Sequence, residues 1–560
     1  MPKTLVYYCS GHGFGHATRV SALASHLLRL PGPARPVIYI VSSAPQHVFT
    51  DAVSLGAHYR SAFIDPVIVQ PLAYCVDRQR SVDGLKAFME REAEMAEREV
   101  RWLNAVGAHC VLSDAAYLGC LAATQAGLPS ILVTNFTFDS VYSFLSTTIT
   151  EAPMTTSDET HPATEHLRAL ESDTPIPREE LEPLVQRIHR GYRCADLLLR
   201  LPGYIPIPSF AMEPKLPSSD WVDPASNQFR EEILASLDHN SSTLYPSVPS
   251  TSTKPARQVL DAPLLVRAPS ESIYTSSGRA NFLNSIGIPE HLHSSKILVV
   301  SFGGQIFRRP HSRAGTPSHS RHASRDLTPE PPHAHHLRLE IPPPTPDHDH
   351  GDHVFSSPRV ATESHLWIPG APPALKRDGT ATSPTSPVVR VFSPPEDEQV
   401  DEEQSALLLP DDSWIAVVCG VSKDQWNAEN ATDSLLPDGF YIAPRDVYMP
   451  DLTAVGDVLL GKLGYGTVSE CVDSSTPFVY VSRPLFIEEH GLRRLLEQQG
   501  VGIELMRESY EAGDWAGAIG EAYRRGSRAK SSRRLDGLEG VQRRKQEGRR
   551  MAEQIIQWIR

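Results

Sequence analysis

The sequence has few cysteines, no long apolar run and no excess of basic residues. Its 560 residues include seven cysteines. They form no CxxC pair and no zinc-ligand spacing, which is typical of a reducing compartment where thiols act as small hydrophobic side chains. No apolar run reaches ~18 residues, the length that a membrane-spanning helix needs. The net charge of −14 argues against a protein that binds nucleic acid through a basic surface. Because the start, Met-Pro-Lys-Thr, has no signal-peptide layout, we expect a cytoplasmic protein.

Proline is spread unevenly along the chain. Of the 48 prolines, 17 fall between residues 307 and 406. This block is also rich in Ser, Thr and His, and it cannot bury enough apolar surface to offset its ordering entropy. We therefore predict that 307–406 is a disordered Ser/Pro/His-rich insertion whose histidines are incidental rather than metal ligands. Its Arg-x-x-Ser and Ser/Thr-Pro sites could recruit partners after phosphorylation.

The remainder of the chain alternates between short apolar runs and amphipathic helical patterns. This alternation predicts an α/β protein with two Rossmann-like doubly wound domains that face a central cleft. The strand-like runs that matter most are 4–9, 67–72, 109–112 and 130–134 in the first half and 296–300, 414–419, 457–460 and 478–481 in the second. We place an N-terminal Rossmann-like domain at 1–208, a partly disordered linker at 209–260, a C-terminal Rossmann-like domain at 261–306 and 407–537, and a C-terminal helix at 538–560.

A glycine loop with two histidines follows the first strand. It reads GHGFGH, and it lacks both the ribose-binding acid of a dinucleotide fingerprint and the GK[ST] ending of a P-loop. A histidine at the carboxyl edge of a parallel sheet lies where such folds place ligands, and it can act as a general base near neutral pH. We predict that role for His16, while His12 fits a ligand contact and a helix-capping turn equally well. The loop glycines that would let a ligand approach the backbone are Gly11, Gly13 and Gly15.

Asp114 ends the strand-like run 109–112, at the same sheet edge as the glycine loop. There it could hydrogen-bond the ring of His16 and stabilise its protonated form, as the carboxylate of a catalytic triad does. An aspartate that caps a helix looks identical in sequence. Both interpretations stay open, and they are compatible with each other.

A second glycine-rich turn follows the run 457–460. Glycines at a helix N-terminus leave free amides and the positive end of the helix dipole open to a diphosphate. Hydroxyl side chains and a lysine can add donors and charge, and an acid one turn further on could bind ribose. The residues with these predicted roles are Lys462, Gly464, Gly466, Thr467, Ser469 and Glu470. After the next strand, Glu488 and Glu489 could hold sugar hydroxyls or merely solvate a loop.

Taken together, these motifs resemble a known family. GHGFGH after the first strand, and TVSE followed by PFVYV and an acidic turn, are similar to GT-B glycosyltransferases of the family-28 and UDP-glycosyltransferase type. GHGFGHATR, SDAAYLG, FGGQ and LGKLGYGTVSE look most like the glycosyltransferase-like N-terminal half of plant L-arabinokinase. The kinase half of that family would need a GLGSSA-like phosphate loop, and the sequence contains none.

The resemblance implies a GT-B fold and transfer of a hexosyl or related sugar from a nucleotide-sugar, preferentially a UDP-sugar, to an acceptor hydroxyl. By position, the family's base falls on His16 and its ribose-binding acid on Glu470. The family's second-domain glycines fall on Gly303 and Gly304, and its diphosphate turn on Gly464–Thr467. The donor-sugar contacts fall near Glu488 and Glu489, where the amide that the family often carries is absent.

The nucleotide-sugar is a substrate in this scheme, so no cofactor is expected. No DxD-like carboxylate pair is placed to hold a metal against the phosphates, and we expect a metal-independent mechanism. Fold alone does not fix function. Two alternatives therefore stand beside transfer: a non-catalytic sugar-nucleotide-binding regulator or scaffold, and a sugar-nucleotide epimerase or hydrolase.

Overall fold

A computed structural model describes most of the two predicted α/β halves. The described residues are 2–11, 13–70, 73–150, 173–239, 257–302, 306–307, 365–366, 407–420 and 437–559. Within them, no helix combines the length and apolarity needed to cross a membrane.

The first half is built on a parallel sheet of seven strands in the order β3-β2-β1-β4-β5-β6-β9. Its strands, together with the small antiparallel hairpin β7-β8, are β1 (Thr4–Cys9), β2 (Val37–Ser42), β3 (His58–Ser61), β4 (Cys110–Asp114), β5 (Ser130–Thr134), β6 (Leu197–Arg200), β7 (Val222–Asp223), β8 (Gln228–Phe229) and β9 (Gln258–Asp261). The central strands are apolar along nearly their whole length because helices cover both faces of the sheet.

The second half contains a parallel sheet of six strands in the order β14-β13-β10-β15-β16-β17. Its strands, with the separate two-residue pair β11-β12, are β10 (Lys296–Ser301), β11 (Ile306–Phe307), β12 (His365–Leu366), β13 (Trp414–Val418), β14 (Phe440–Ile442), β15 (Val458–Lys462), β16 (Phe478–Val481) and β17 (Gly502–Glu504). In each half the strand order reverses beside the first strand, and this is the point where open α/β sheets bind ligands.

Helices connect successive strands of both sheets. They are α1 (Phe14–Leu28), α2 (Thr50–Ser54), α3 (Arg78–Ala105), α4 (Tyr117–Gln125), α5 (Phe138–Phe144), α6 (Arg178–Tyr192), α7 (Glu231–His239), α8 (Ser276–Ser285), α9 (Met449–Val455), α10 (Tyr465–Ser474), α11 (Glu488–Gln499), α12 (Arg507–Ala512), α13 (Ala516–Leu535) and α14 (Gly537–Trp558). The last of these, α14, returns from the second half and packs on α1. At the contact, Gly548 lies directly against the ring of His26.

Three clusters of buried apolar side chains hold this arrangement together. One lies between α3, α4 and the first sheet, and another lies between α13 and the second sheet. The third runs through both halves: it joins Leu5 and Ala17 of the first half to Ile297 and Tyr465 of the second, and it includes Ile555 of α14. The two halves therefore share one continuous core.

The predicted fold class is confirmed: two parallel α/β sheets of the GT-B type, with a long insertion between β10 and β13 of the second sheet. Most of 307–406 lies outside the described residues. The predicted strand at 67–72 is wrong, because 67–70 form no strand and the third strand is β3, His58–Ser61. Pro66 and Pro71 bracket the apolar run, and proline cannot donate a hydrogen bond to a sheet.

The segment predicted as a linker, 209–260, contains more structure than a connection. Its described part holds the hairpin β7-β8, the helix α7 and most of β9, which extends the edge of the first sheet by pairing with β6. An exposed edge strand such as β9 has a weak sequence signal because its polar residues face solvent on both sides.

Candidate active site

The first part of the site lies at the point where the strand order of the first sheet reverses. β1 and β4 are neighbours there, and Cys9 at the end of β1 pairs with Asp114 at the end of β4. Gly13 has a φ of 80°, which glycine adopts without strain, and it directs the chain into α1. Because α1 begins at Phe14, His16 lies in the first turn of the helix.

His16 and Asp114 form a buried pair. The Nδ1 atom of His16 lies 2.8 Å from Oδ1 of Asp114, and the ring of Phe136 packs edge-on against the imidazole at a centroid distance of 5.5 Å. Burial by itself would raise the pKa of the Asp114 carboxyl, but the charge of Arg19 and the ring of His16 hold it below its ordinary value. Asp114 is therefore an anion that can accept a hydrogen bond from Nδ1 of His16.

Arg19, which the sequence motifs did not single out, is the residue that neutralises Asp114. Its Nε donates to Oδ2 of Asp114 and its Nη2 to Oδ1, both at 2.6 Å. Its Nη1 donates to Oδ1 of Asn135, also at 2.6 Å. The guanidinium lies over the ring of Tyr465 from the second half, 4.8 Å from the centroid. Arg19 lies one helical turn after His16, and that i+3 spacing is the signal that could have found it.

Asp65 is a second buried acid that sequence reasoning missed. It follows β3 in the chain, and its carboxylate accepts hydrogen bonds from the hydroxyl of Ser10 and, at 3.4 Å, from the backbone N–H of Gly11. Burial raises the pKa of Asp65 to about 6. These contacts hold the start of the first glycine loop in place. No short motif marks Asp65, because it comes from a loop remote in sequence.

The second part of the site is the N-terminus of α10, where Gly464 is the N-cap residue. The first turn of α1 lies directly against it: a Cβ atom added to Gly15 would lie 3.3 Å from the backbone nitrogen of Gly466. The hydroxyl of Ser469 donates to the carbonyl of Gly466 at 2.9 Å and is therefore engaged within its own helix. The N-termini of α1 and α10 thus meet across the cleft.

Lys462, at the end of β15, lies beside this turn. Its Nζ atom is 3.4 Å from Oε1 of Gln70, a residue of the first half. Burial and the nearby charge of Arg483 lower the pKa of Lys462 to about 7. Above neutral pH such a lysine is largely uncharged, and it can bind a proton when an anion binds beside it.

Glu470 is buried at the second turn of α10. Its Oε1 accepts a hydrogen bond of 2.9 Å from Nη2 of Arg267, and the pair is largely shielded from solvent. Burial raises the pKa of Glu470 despite the charge of Arg267. The predicted ribose ligand is therefore held by an arginine from the segment that connects the two halves.

The two adjacent acids at the start of α11 have different surroundings. Oε1 of Glu488 accepts a hydrogen bond of 3.0 Å from Nδ2 of Asn135, across the cleft. Both oxygens of Glu489 accept from Arg483, one from the side chain and one from the backbone N–H, at 2.8 Å each. Glu489 is thus engaged within the second half, and Glu488 is the member of the pair that faces the first.

The structure brings His16, Asp114, the N-terminus of α10, Lys462 and Glu488 to the contact between the two halves. The predicted positions His12, Gly303 and Gly304 lie outside the described residues. Within the residues that the structure describes, no group of three or more His, Cys, Asp or Glu side chains could hold a metal ion.

The chain has two doubly wound parallel sheets, a candidate site where the two halves meet, and a last helix that returns to the first half. These features define the GT-B fold. The chain is distantly similar to L-arabinokinase of Arabidopsis thaliana, with 26% identity over 511 residues. The match covers 91% of this chain but only 31% of the length of that protein. No family model matches the chain.

Similar solved structures include several glycosyltransferases. A UDP-glucosyltransferase from Polygonum tinctorium is 12% identical with a TM-score of 0.44, over 100% of this chain and 99% of that one. The calicheamicin glycosyltransferase is 12% identical with a TM-score of 0.43, over 100% and 98% of the two chains.

Proposed function

We propose that this protein is a nucleotide-sugar-dependent glycosyltransferase that moves a hexosyl or related sugar to an acceptor hydroxyl, with a UDP-sugar as the first donor to test. The observation that carries the proposal is that the His16–Asp114 pair lies close to the N-terminus of α10. Its 2.8 Å hydrogen bond lies at the end of the helix that touches the N-terminus of α10. A base and an anion-binding helix end are thus adjacent.

In the proposed reaction, the donor's diphosphate binds at the N-terminus of α10 and the acceptor lies beside His16. With Asp114 accepting the Nδ1 hydrogen, the Nε2 lone pair of His16 takes the proton of the acceptor hydroxyl. The acceptor oxygen attacks the anomeric carbon, and the bond from that carbon to the diphosphate oxygen breaks. The amides of α10 and the ammonium of Lys462 stabilise the negative charge of the departing diphosphate. His16 then releases its proton to solvent or to the product nucleotide.

The donor's other contacts are assigned from the same geometry. Glu470, with its carboxylate held by Arg267, keeps its predicted role as the ribose ligand. Glu488 rather than Glu489 is assigned to the donor sugar, because both oxygens of Glu489 are engaged by Arg483. The kinase activity in the name of the Arabidopsis relative is not part of the proposal, since the chain spans 31% of that protein's length.

A non-catalytic sugar-nucleotide sensor is the second candidate. The observation that favours it is the direct contact of Gly15 with Gly466, which fills the space in front of α10. In a transferase this contact has to open for the donor to enter, whereas a sensor could use its opening as the signal.

The two candidates are separated by comparing binding with turnover. A thermal-shift screen with UDP, GDP and their sugars identifies the nucleotide, and release of free nucleotide from the best donor measures turnover. For a transferase, His16→Ala should lower turnover about 10²- to 10⁴-fold and leave nucleotide affinity near wild type. His189→Ala is the matched control, because it breaks another buried His–Asp pair, His189 Nδ1 to Asp139 Oδ2 at 3.1 Å. Nucleotide binding without turnover in the wild type would favour the sensor.

A further inference from the structure

Arg19 is almost completely enclosed, with 1% of its surface exposed. Its three nitrogens reach Asp114, Asn135 and His16, and the closest approach of its Nη2 to Nδ1 of His16 is 3.0 Å. An arginine placed only to neutralise Asp114 would not need the contact with Asn135. The extra contact connects the pair to the other half of the protein.

Asn135 is the bridge between the halves. Its Oδ1 accepts from Nη1 of Arg19 at 2.6 Å, while its Nδ2 donates to Oε1 of Glu488 at 3.0 Å. Nδ2 also lies 3.5 Å from the carbonyl oxygen of Gly203 in the first half, so Glu488 is the nearer and charged acceptor that helps to keep the amide oxygen facing Arg19. Both Glu488 and the ring of Tyr465 beneath the guanidinium belong to the second half.

We propose that Arg19 is a positioning residue that makes the proton-accepting form of His16 depend on contact between the two halves of the protein. The proposal rests on the proposed function, in which His16 is the base. It adds a condition to that function: the base is ready only when the second half, which carries the donor, is in place. An enzyme built in this way would not activate water or acceptor while the cleft is open.

The tautomer of His16 depends on which atom accepts a hydrogen bond from Nη2 of Arg19. Nη2 of Arg19 has two hydrogens, and its neighbours are Oδ1 of Asp114 at 2.6 Å, Nδ1 of His16 at 3.0 Å and Oγ1 of Thr134 at 3.4 Å. While Asp114 accepts from both Arg19 and the Nδ1 hydrogen, Nε2 keeps its lone pair. If Arg19 turns and donates to Nδ1 instead, the hydrogen must be on Nε2 and the ring cannot take a proton there.

Glu488 prevents that turn. As long as it accepts from Nδ2 of Asn135, Oδ1 of the amide holds Nη1 of Arg19. When Glu488 leaves with the second half, the amide loses its charged acceptor and holds Nη1 of Arg19 less firmly. The guanidinium can then shift towards Nδ1 of His16.

The test follows the ring of His16 directly and requires neither donor nor acceptor. Protein labelled with ¹³C and ¹⁵N in its histidine rings is studied by NMR, and His16→Gln assigns the signal. We expect the Nδ1–H tautomer in the wild type and a larger Nε2–H fraction in Glu488→Ala. Arg19→Lys, which keeps the charge but loses the contact with Asn135, should also show a larger Nε2–H fraction.

An unchanged tautomer in Glu488→Ala would overturn the coupling between the halves, and an unchanged tautomer in Arg19→Lys would overturn the positioning role of Arg19. If Glu488→Ala does not fold, the tautomer of Arg19→Lys still tests that positioning role. Calorimetric titration of the wild type with UDP is run in parallel. A failure to bind UDP or any other nucleotide counts against the proposed function, whereas the ring measurements count only against the role of Arg19.

Discussion

Gly15 and Gly466 lie in backbone contact across the two halves, because a Cβ on Gly466 would come within 3.1 Å of Cα of Gly15 and 3.0 Å of Oγ1 of Thr18. Residues far apart in sequence therefore form one joint in which neither helix end has room for a methyl group. The diphosphate site that we propose opens at this joint.

Gly466→Ala should weaken the contact between the halves. The added methyl group has to displace Thr18 or the first turn of α1, and overpacking of this kind typically costs about 1–3 kcal/mol. Urea-induced unfolding measures the cost, and X-ray scattering in solution should show a larger radius of gyration. Gly464→Ser is the matched control on the same turn, because nothing lies within 4 Å of its Cβ position and serine is a favourable N-cap. Equal stability losses in the two variants would contradict the close contact.

Glu470→Ala should reduce both nucleotide affinity and stability. The substitution leaves the buried guanidinium of Arg267 without its carboxylate, and breaking a buried pair costs about 3–5 kcal/mol. Loss of ribose hydrogen bonds to a charged group would cost about 1.5–3 kcal/mol of binding each. Calorimetry with UDP, well below the unfolding temperature, separates the two effects. Glu553→Ala, which breaks the exposed pair with Arg549, should change neither quantity measurably. Unchanged UDP affinity in Glu470→Ala would remove Glu470 from the donor site.

UDP binding should be accompanied by proton uptake above neutral pH. The free protein has a lowered pKa of about 7 at Lys462, so this side chain is mostly neutral at pH ~8.5. A diphosphate beside it favours the ammonium and raises that pKa, and protons are taken up between the two values. Calorimetry in buffers of different ionisation enthalpy should show uptake approaching one proton near pH 8.5 and little near pH 6. Lys462→Met should abolish the difference between buffers. A buffer-independent binding enthalpy in the wild type would place Lys462 away from the diphosphate.

Gly548→Ala should loosen α14 from α1. Its Cβ would lie 2.2 Å from Nε2 of His26, and burial has already lowered the pKa of that histidine to about 4. We expect a loss of about 1–3 kcal/mol in the free energy of unfolding. Gly520→Ala, in the neighbouring helix α13, has open space at its Cβ position and should stabilise by about 0.5–1 kcal/mol. A stability gain in Gly548→Ala as well would show that α14 is not packed on α1 as described.

The sequence predicted strands correctly where an apolar run also lies at the centre of a sheet in the folded protein. β1 and β15 are apolar runs that lead into glycine-rich turns, and β4 is an apolar run that ends at Asp114, so all three strands were predicted from the sequence. The strand prediction for 67–72 was wrong because the apolar pattern resembles a strand, while Pro66 before it and Pro71 within it disfavour strand pairing. Arg19 and Asp65 were missed for a different reason. Their importance comes from what they contact in space, Asp114 and the first glycine loop. The i+3 spacing from His16 could have pointed to Arg19, but no spacing in the chain points to Asp65.

The place of α14 has a consequence for how the cleft can open. The chain passes between the two halves at the segment before α8 and again at Asp536, between α13 and α14. Both passages are tied to α10, through Arg267 to Glu470 at 2.9 Å and through Arg544 to Asp473 at 2.9 Å. These two contacts attach α10 to both passages. Any opening of the cleft that keeps α14 on α1 therefore has to separate Gly15 from Gly466 while Glu470 and Asp473 of the same helix stay bound to the two passages.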